Sequence, residues 1–321
     1  MSINGPFSGL LSASDPLKMV YFKNEVLEKY FNDPQYQIFY SDYRGSIYLT
    51  NEDAPYEEVR DFGHAYNKDN KYSRAIVVFA GDLIEMPIPM QCYWYSYYLS
   101  NQDDYYPNYG FFKNLILGEW VDDISIYQAL LMEEHYINKM CETIGLPKLF
   151  REEFDLENSY QNNRPSNYHS ILLPTEARFF DFVITLEKIT TGNINIKTFQ
   201  KEIASGNGTP RIIPITSIDD DGKNKGSQAM LNEWLKTNIR FADIDNIISA
   251  PLKKLIRMRQ TPAHKLFENK YDTTVWEKQN QLMHDVYSAI RNIRLLFANH
   301  PSAKTVEIPD YLYDGKHIRI Y

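Results

Sequence analysis

The chain has 321 residues, 43% of them hydrophobic, enough to bury one large core or two compact ones and too apolar for an extended disordered chain. The net charge of −8 excludes a generally basic nucleic-acid binder, yet 14 of the 34 Lys+Arg and only 10 of the 42 Asp+Glu lie from Gly226 onward, so the C-terminal part is the one suited to phosphate. Two cysteines, Cys92 and Cys141, make neither a disulfide framework nor a zinc site, and with no apolar run long enough for a membrane span and no secretory leader the expectation is a cytoplasmic protein without a membrane partner.

Asp15 as cap and Pro16 at the first helical position predict a helix over 15–31. YQIFYS at 36–41, GSIYLT at 45–50 and SRAIVVFA at 73–80 carry the β-branched and aromatic residues of a small sheet. The aromatic stretch Tyr93, Trp94, Tyr95, Tyr97 and Tyr98, with Tyr105, Tyr106 and Tyr109, admits a base-stacking platform. Asp103 and Asp104 beside it, and the scarcity of interleaved basic residues, favour packing instead. A helix is predicted over 123–144.

Helical periodicity then takes over. Phe179, Phe182, Val183 and Leu186 share one face of a helix over 175–189, and 195–203 is a further helical candidate. A Gly-, Pro- and Asp-rich loop over 205–227 precedes helices over 228–239, 244–258 and 273–299. The tail is expected to form a hairpin turning at Asp314-Gly315. The expected fold class is α+β: a mixed region over 1–170 with a sensing or regulatory role and a helical region over 171–321.

Several polar groupings carry little chemistry. Glu133, Glu134, His135 and Cys141 lie on a predicted helix without a second His to complete a metal set. Asp219, Asp220 and Asp221 read as a solvated loop, and Gly206 and Gly208 as a turn rather than a dinucleotide site. Neither a metal nor a cofactor is expected.

The segment LIRMRQTPAHKLFEN differs. Pro262 disfavours helical geometry at Thr261 and suits a first helical position, so one helix is expected to end near Arg259 and another to start at Pro262, with Thr261 as cap and His264 in its first turn. Orphan N–H groups there would attract a phosphate that Arg259 also reaches. Histidine exchanges protons near neutral pH and arginine forks two bonds to phosphate oxygens, which is what metal-independent RNA cleavage needs. Because one His does not easily serve both proton steps, the chemistry suggests a homodimer with a composite cleft.

Arg259-Gln260-Thr261-Pro262-Ala263-His264 resembles the signature of HEPN domains, an Arg and a His separated by four to six residues. The resemblance covers roughly residues 174–301. It implies a helical bundle that dimerises around the motif, with Arg259 and His264 as the catalytic pair. It further implies an endoribonuclease acting on RNA as a toxin or abortive-infection effector in antiphage defence, held or released by an antitoxin or a phage-derived trigger. Gln260 stands where Asn, Asp or His is more usual, and Arg257, with a six-residue spacing to His264, competes for the arginine role. The alternative is a non-catalytic HEPN-like module that binds RNA or protein.

Overall fold

The computed structural model describes residues 5–8, 15–50, 61–70, 72–154, 164–165, 167–206, 208–264 and 269–320. The fold is α+β, with a small antiparallel sheet in the N-terminal half and helices in the C-terminal half. The sheet comprises β1 (Met19–Phe22), β2 (Tyr36–Ser41), β3 (Arg44–Leu49), β4 (Phe62–Asn67), β5 (Arg74–Phe79) and β6 (Tyr105–Pro107). Its order is β1-β5-β4-β3-β2, and the edge of β4 is shared: Phe62 and Gly63 pair with β3, Ala65 to Asn67 with β6. Close approach explains the glycines there, since a Cβ on Gly45 would stand 2.3 Å from Phe62 Cζ and one on Gly63 2.5 Å from Phe111 Cδ2.

Short helices α1 (Glu28–Asn32), α2 (Ala80–Glu85), α3 (Ile88–Tyr95) and α4 (Tyr109–Ile116) complete this half. The helix expected over 15–31 is mostly not there. Met19 to Phe22 form β1 against β5, because Val20, Tyr21 and Phe22 find buried places in the sheet that outweigh the Asp-Pro start signal. Only a 3-10 turn, Asn24–Leu27, and α1 remain helical. Trp94 packs edge-on against Phe22 at 5.1 Å and donates to the Tyr30 hydroxyl at 2.8 Å, so Trp94 is core, with Tyr93, Tyr97 and Tyr98 packed partly buried against it and Tyr95 exposed.

The helical half is built from α5 (Ile126–Ile144), α6 (Glu176–Ile189), α7 (Ser227–Asn238), α8 (Ala250–His264), α9 (Thr274–Ala298) and the short α10 (Asp310–Asp314). Ser125 Oγ accepts from Gln128 N at 3.2 Å to start α5, and Gly145, at φ 92°, ends it. The inward stripe of α9, Leu282, Val286, Ala289 and Ile293, is fully buried in one core with α5 and α6. Residues 195–203 supply only a 3-10 turn, Ile196–Gln200. The expected C-terminal hairpin is also absent: Gly315, at φ 70°, caps α10, and β8 (Ile318–Arg319) runs on to pair in parallel with β7 (Ile124–Ser125), which a two-residue turn cannot achieve.

Candidate functional site

A π-helical turn, Asp245–Ser249, leads into α8. Leu252 and Leu255 are buried against the core and fix the helix axis, which leaves Lys253, Arg257 and Gln260 exposed. The expected break before Pro262 does not occur. Helix α8 runs on through Pro262 to His264, the last described residue before 269, so His264 does not open a new helix. The physical reason is anchoring. Proline lacks one N–H, here the donor to the carbonyl of residue 258, but the preceding turns are anchored by buried leucines and hold the helix through the loss of that one bond. The orphan N–H groups and positive dipole end invoked for a phosphate are therefore not at His264, because only the first turn of a helix carries them and α8 starts at Ala250. The side chains of Thr261 and His264 lie outside the described residues.

An uninterrupted helix also separates the two arginines. At 3.6 residues per turn, positions seven apart return to nearly the same face, whereas positions five apart differ by about 140°. Positions 253, 257, 260 and 264 thus make one stripe, and position 259 lies off it. Arg259 Nε is 3.4 Å from Glu187 Oε2 on α6, and the largely buried Glu187 carboxylate also accepts from Thr191 Oγ1 at 3.3 Å. Along the other flank, Lys254 Nζ pairs with Asp285 on α9 at 2.9 Å. The cation on the stripe beside position 264 is Arg257.

The other sequence candidates resolve into structural roles. Glu133 forms a buried ion pair with Arg294, whose Nη2 also donates to the Leu312 carbonyl at 2.9 Å. Glu134 is buried with neither carboxylate oxygen hydrogen-bonded, and burial drives its carboxyl well above the usual range. His135 lies 4.0 Å from Glu153 and is held below the ordinary imidazole value, first by burial. Asp219 Oδ1 accepts from the Asp221 and Lys223 N–H groups at 3.1 and 2.8 Å, an Asx turn. Among the described residues no cluster of three metal-binding side chains occurs, and no helix is long and apolar enough to cross a membrane.

A second polar site lies where the sheet meets the helices. Arg74 on β5 is 6% exposed and donates to Ser170 Oγ, with its guanidinium carbon 5.7 Å from the ring centres of Tyr66 and Trp276. His64, on the neighbouring strand, is fully buried with both ring nitrogens unpartnered. Burial, then the Arg74 charge, holds its pKa well below the usual value. His169 is pushed down to about 4 by burial, and its Nδ1 lies 2.7 Å from the Ser170 carbonyl oxygen. Sequence patterning missed this cluster because FGHAYN, the strand that carries His64, lies outside every predicted element. Beside it a cavity of about 320 Å³ is lined by Tyr66, Arg74, Tyr106 and Tyr109 from the sheet half and by Asn280 from α9. Tyr106 and Tyr109, at 44% and 64% exposed, stand with Tyr95 apart from the partly buried Tyr93, Tyr97 and Tyr98 of the same stretch. Compared with known proteins, the chain matches no family model, no curated protein and no solved structure.

Proposed function

We propose that the chain is a metal-independent endoribonuclease acting through the exposed stripe of α8, as a homodimeric effector of the toxin or abortive-infection kind. The observation that supports this reading best is the register of α8. It aligns Lys253, Arg257 and Gln260, all exposed, with position 264 in one line suited to a phosphodiester backbone. In the reaction, the RNA 2′-hydroxyl attacks the adjacent phosphorus as one imidazole takes its proton. The 5′ oxygen leaves with a proton from an imidazolium, giving a 2′,3′-cyclic phosphate and a 5′-hydroxyl end. His264 of one copy serves as the acid, and His264 of a second copy supplies the base. Arg257 faces the transition-state charge, and Arg259, tied to Glu187, supports the helix from its flank.

The test is incubation of the purified chain with total RNA in EDTA. Cleavage is expected, with a loss of about 10²- to 10⁴-fold in His264→Ala. Arg257→Ala is expected to lose more activity than Arg259→Ala. Undiminished cleavage by His264→Ala overturns the assignment, and cleavage by neither protein leaves the non-catalytic RNA- or protein-binding module as the reading.

A further inference from the structure

The C-terminal ends of α5, α7 and α9 meet around a second cavity, of about 310 Å³, at the small end of the range that encloses a small-molecule ligand. Its walls are largely apolar. Ile239 and Leu296 are only partly buried there and Phe241 is 42% exposed, so each keeps apolar surface that a ligand can cover. Trp234 on α7 and Phe297 on α9 stack with ring centres 5.6 Å apart, each 3% exposed, and hold the two helix ends together. Asn238 fixes the neighbouring loop, accepting from the Ile213 N–H at 2.7 Å and donating to the Ile213 carbonyl at 3.0 Å. The charge around this space has one sign. Arg211, Arg240 and His300 line it, and no carboxylate does. Arg211 is already engaged, since Nε and Nη2 both donate to Glu202 Oε1, at 3.1 and 2.5 Å, and burial holds His300 below the ordinary imidazole value. The cation left over is Arg240, exposed and, among the described residues, without a side-chain partner.

We propose that this cavity binds a free aliphatic monocarboxylate of medium chain length, its carboxylate held by Arg240 and its chain laid against Ile239, Leu296 and Phe241. One unpaired guanidinium matches one negative charge, and its planar fork suits a carboxylate. The three helix ends that surround the space carry partial negative charge, which disfavours an anion anywhere but beside that guanidinium. The charged end of the ligand is thereby placed at the exposed arginine and the uncharged chain along the apolar wall. Burial of the chain supplies affinity, and Arg240 supplies the preference for an anion. This site does not depend on the ribonuclease reading.

The experiment is calorimetric titration of the full chain with sodium octanoate, kept below its micelle concentration. Saturable one-to-one binding is expected. Octanol, the same chain without the charge, should bind about tenfold more weakly, and Arg240→Gln should weaken octanoate about tenfold while leaving octanol unchanged. Phe241→Ala should weaken both ligands. Both substituted positions are exposed, so an unfolding midpoint matching wild type separates a lost contact from a lost fold. Absence of saturable octanoate binding by the wild-type chain overturns the proposal. So does equal affinity for octanol and octanoate, or an Arg240→Gln variant that keeps the preference for the anion. Binding of several equivalents that ignores both substitutions marks adsorption to scattered apolar surface and overturns it as well.

Discussion

Among the described residues two arginines are buried, one in each kind of environment, and they are treated differently. Arg294, in the helical core, is 0% exposed and meets the Glu133 carboxylate and the Leu312 carbonyl. Arg74, between sheet and helices, is 6% exposed, with a serine hydroxyl for one nitrogen, aromatic faces beside it and an unpartnered Nε next to a cavity. A buried charge whose donors are used up is a structural fastening. One with a donor left over carries an unpaid desolvation cost that the surrounding fold absorbs.

The largest effect comes from breaking the fastening. Arg294→Met leaves Glu133 buried without its partner and is expected to cost about 3–5 kcal/mol in chemical denaturation. Adding Glu133→Leu should recover much of that loss, since the pair replaced by apolar groups no longer strands a charge. No recovery in the double variant would mean that Arg294 acts through Leu312 and the C-terminal segment instead.

The neighbouring residue gives the next effect. Glu134 is buried with both oxygens unpartnered and its carboxyl well above the usual range, so folding takes up a proton between the ordinary and the raised value. A raised folded value means stability is lost as pH rises above the ordinary carboxyl value of 4.5. Glu134→Gln removes this dependence. Its advantage over wild type is expected to grow by about 1.4 kcal/mol per pH unit above that point, until the folded carboxyl itself ionises.

His64 has the opposite sign. Its pKa is depressed below the ordinary 6.5 in the folded chain, so the unfolded chain binds more protons there and stability is lost as pH falls below 6.5. The difference between wild type and His64→Gln isolates its share from that of His169, and should change by about 1.4 kcal/mol per pH unit below 6.5. Parallel pH profiles for the two proteins would show that His64 is not the group responsible.

Much of this architecture was legible in the sequence where one periodicity acted alone. β2, β3 and β5, and helices α5, α6, α7 and α9, fall where β-branched runs or apolar stripes put them. The misses are places where two signals competed. At Asp15-Pro16 a helix start lost to the burial of Val20 and Phe22 in the sheet. At Asp314-Gly315 a turn dipeptide served as a helix end. At Thr261-Pro262 a break signal lost to the anchored turns before it. The α8 stripe was half legible: spacing marked Arg257, Arg259 and His264, but only a continuous helix divides the arginines. The cavity was not legible at all, because Arg74 and Asn280 are 206 positions apart and the patterns of their own strand and helix do not say that the two meet.

The smallest stability effect separates the two arginines most sharply. Arg259 is half exposed, and its 3.4 Å contact with Glu187 is a partly solvated pair, worth no more than about 1 kcal/mol. Arg259→Ala should therefore leave the unfolding midpoint nearly unchanged, and so should Arg257→Ala at its exposed position. Equal stability makes activity the discriminating measurement. If the stripe of positions 253, 257, 260 and 264 faces the RNA, Arg257→Ala lowers cleavage and flattens its salt dependence, because one phosphate contact is lost, while Arg259→Ala changes both less. If Arg259→Ala is the more damaging at unchanged stability, the working face of α8 includes the α6 side, and Glu187 holds a catalytic arginine in place instead of drawing a bystander aside.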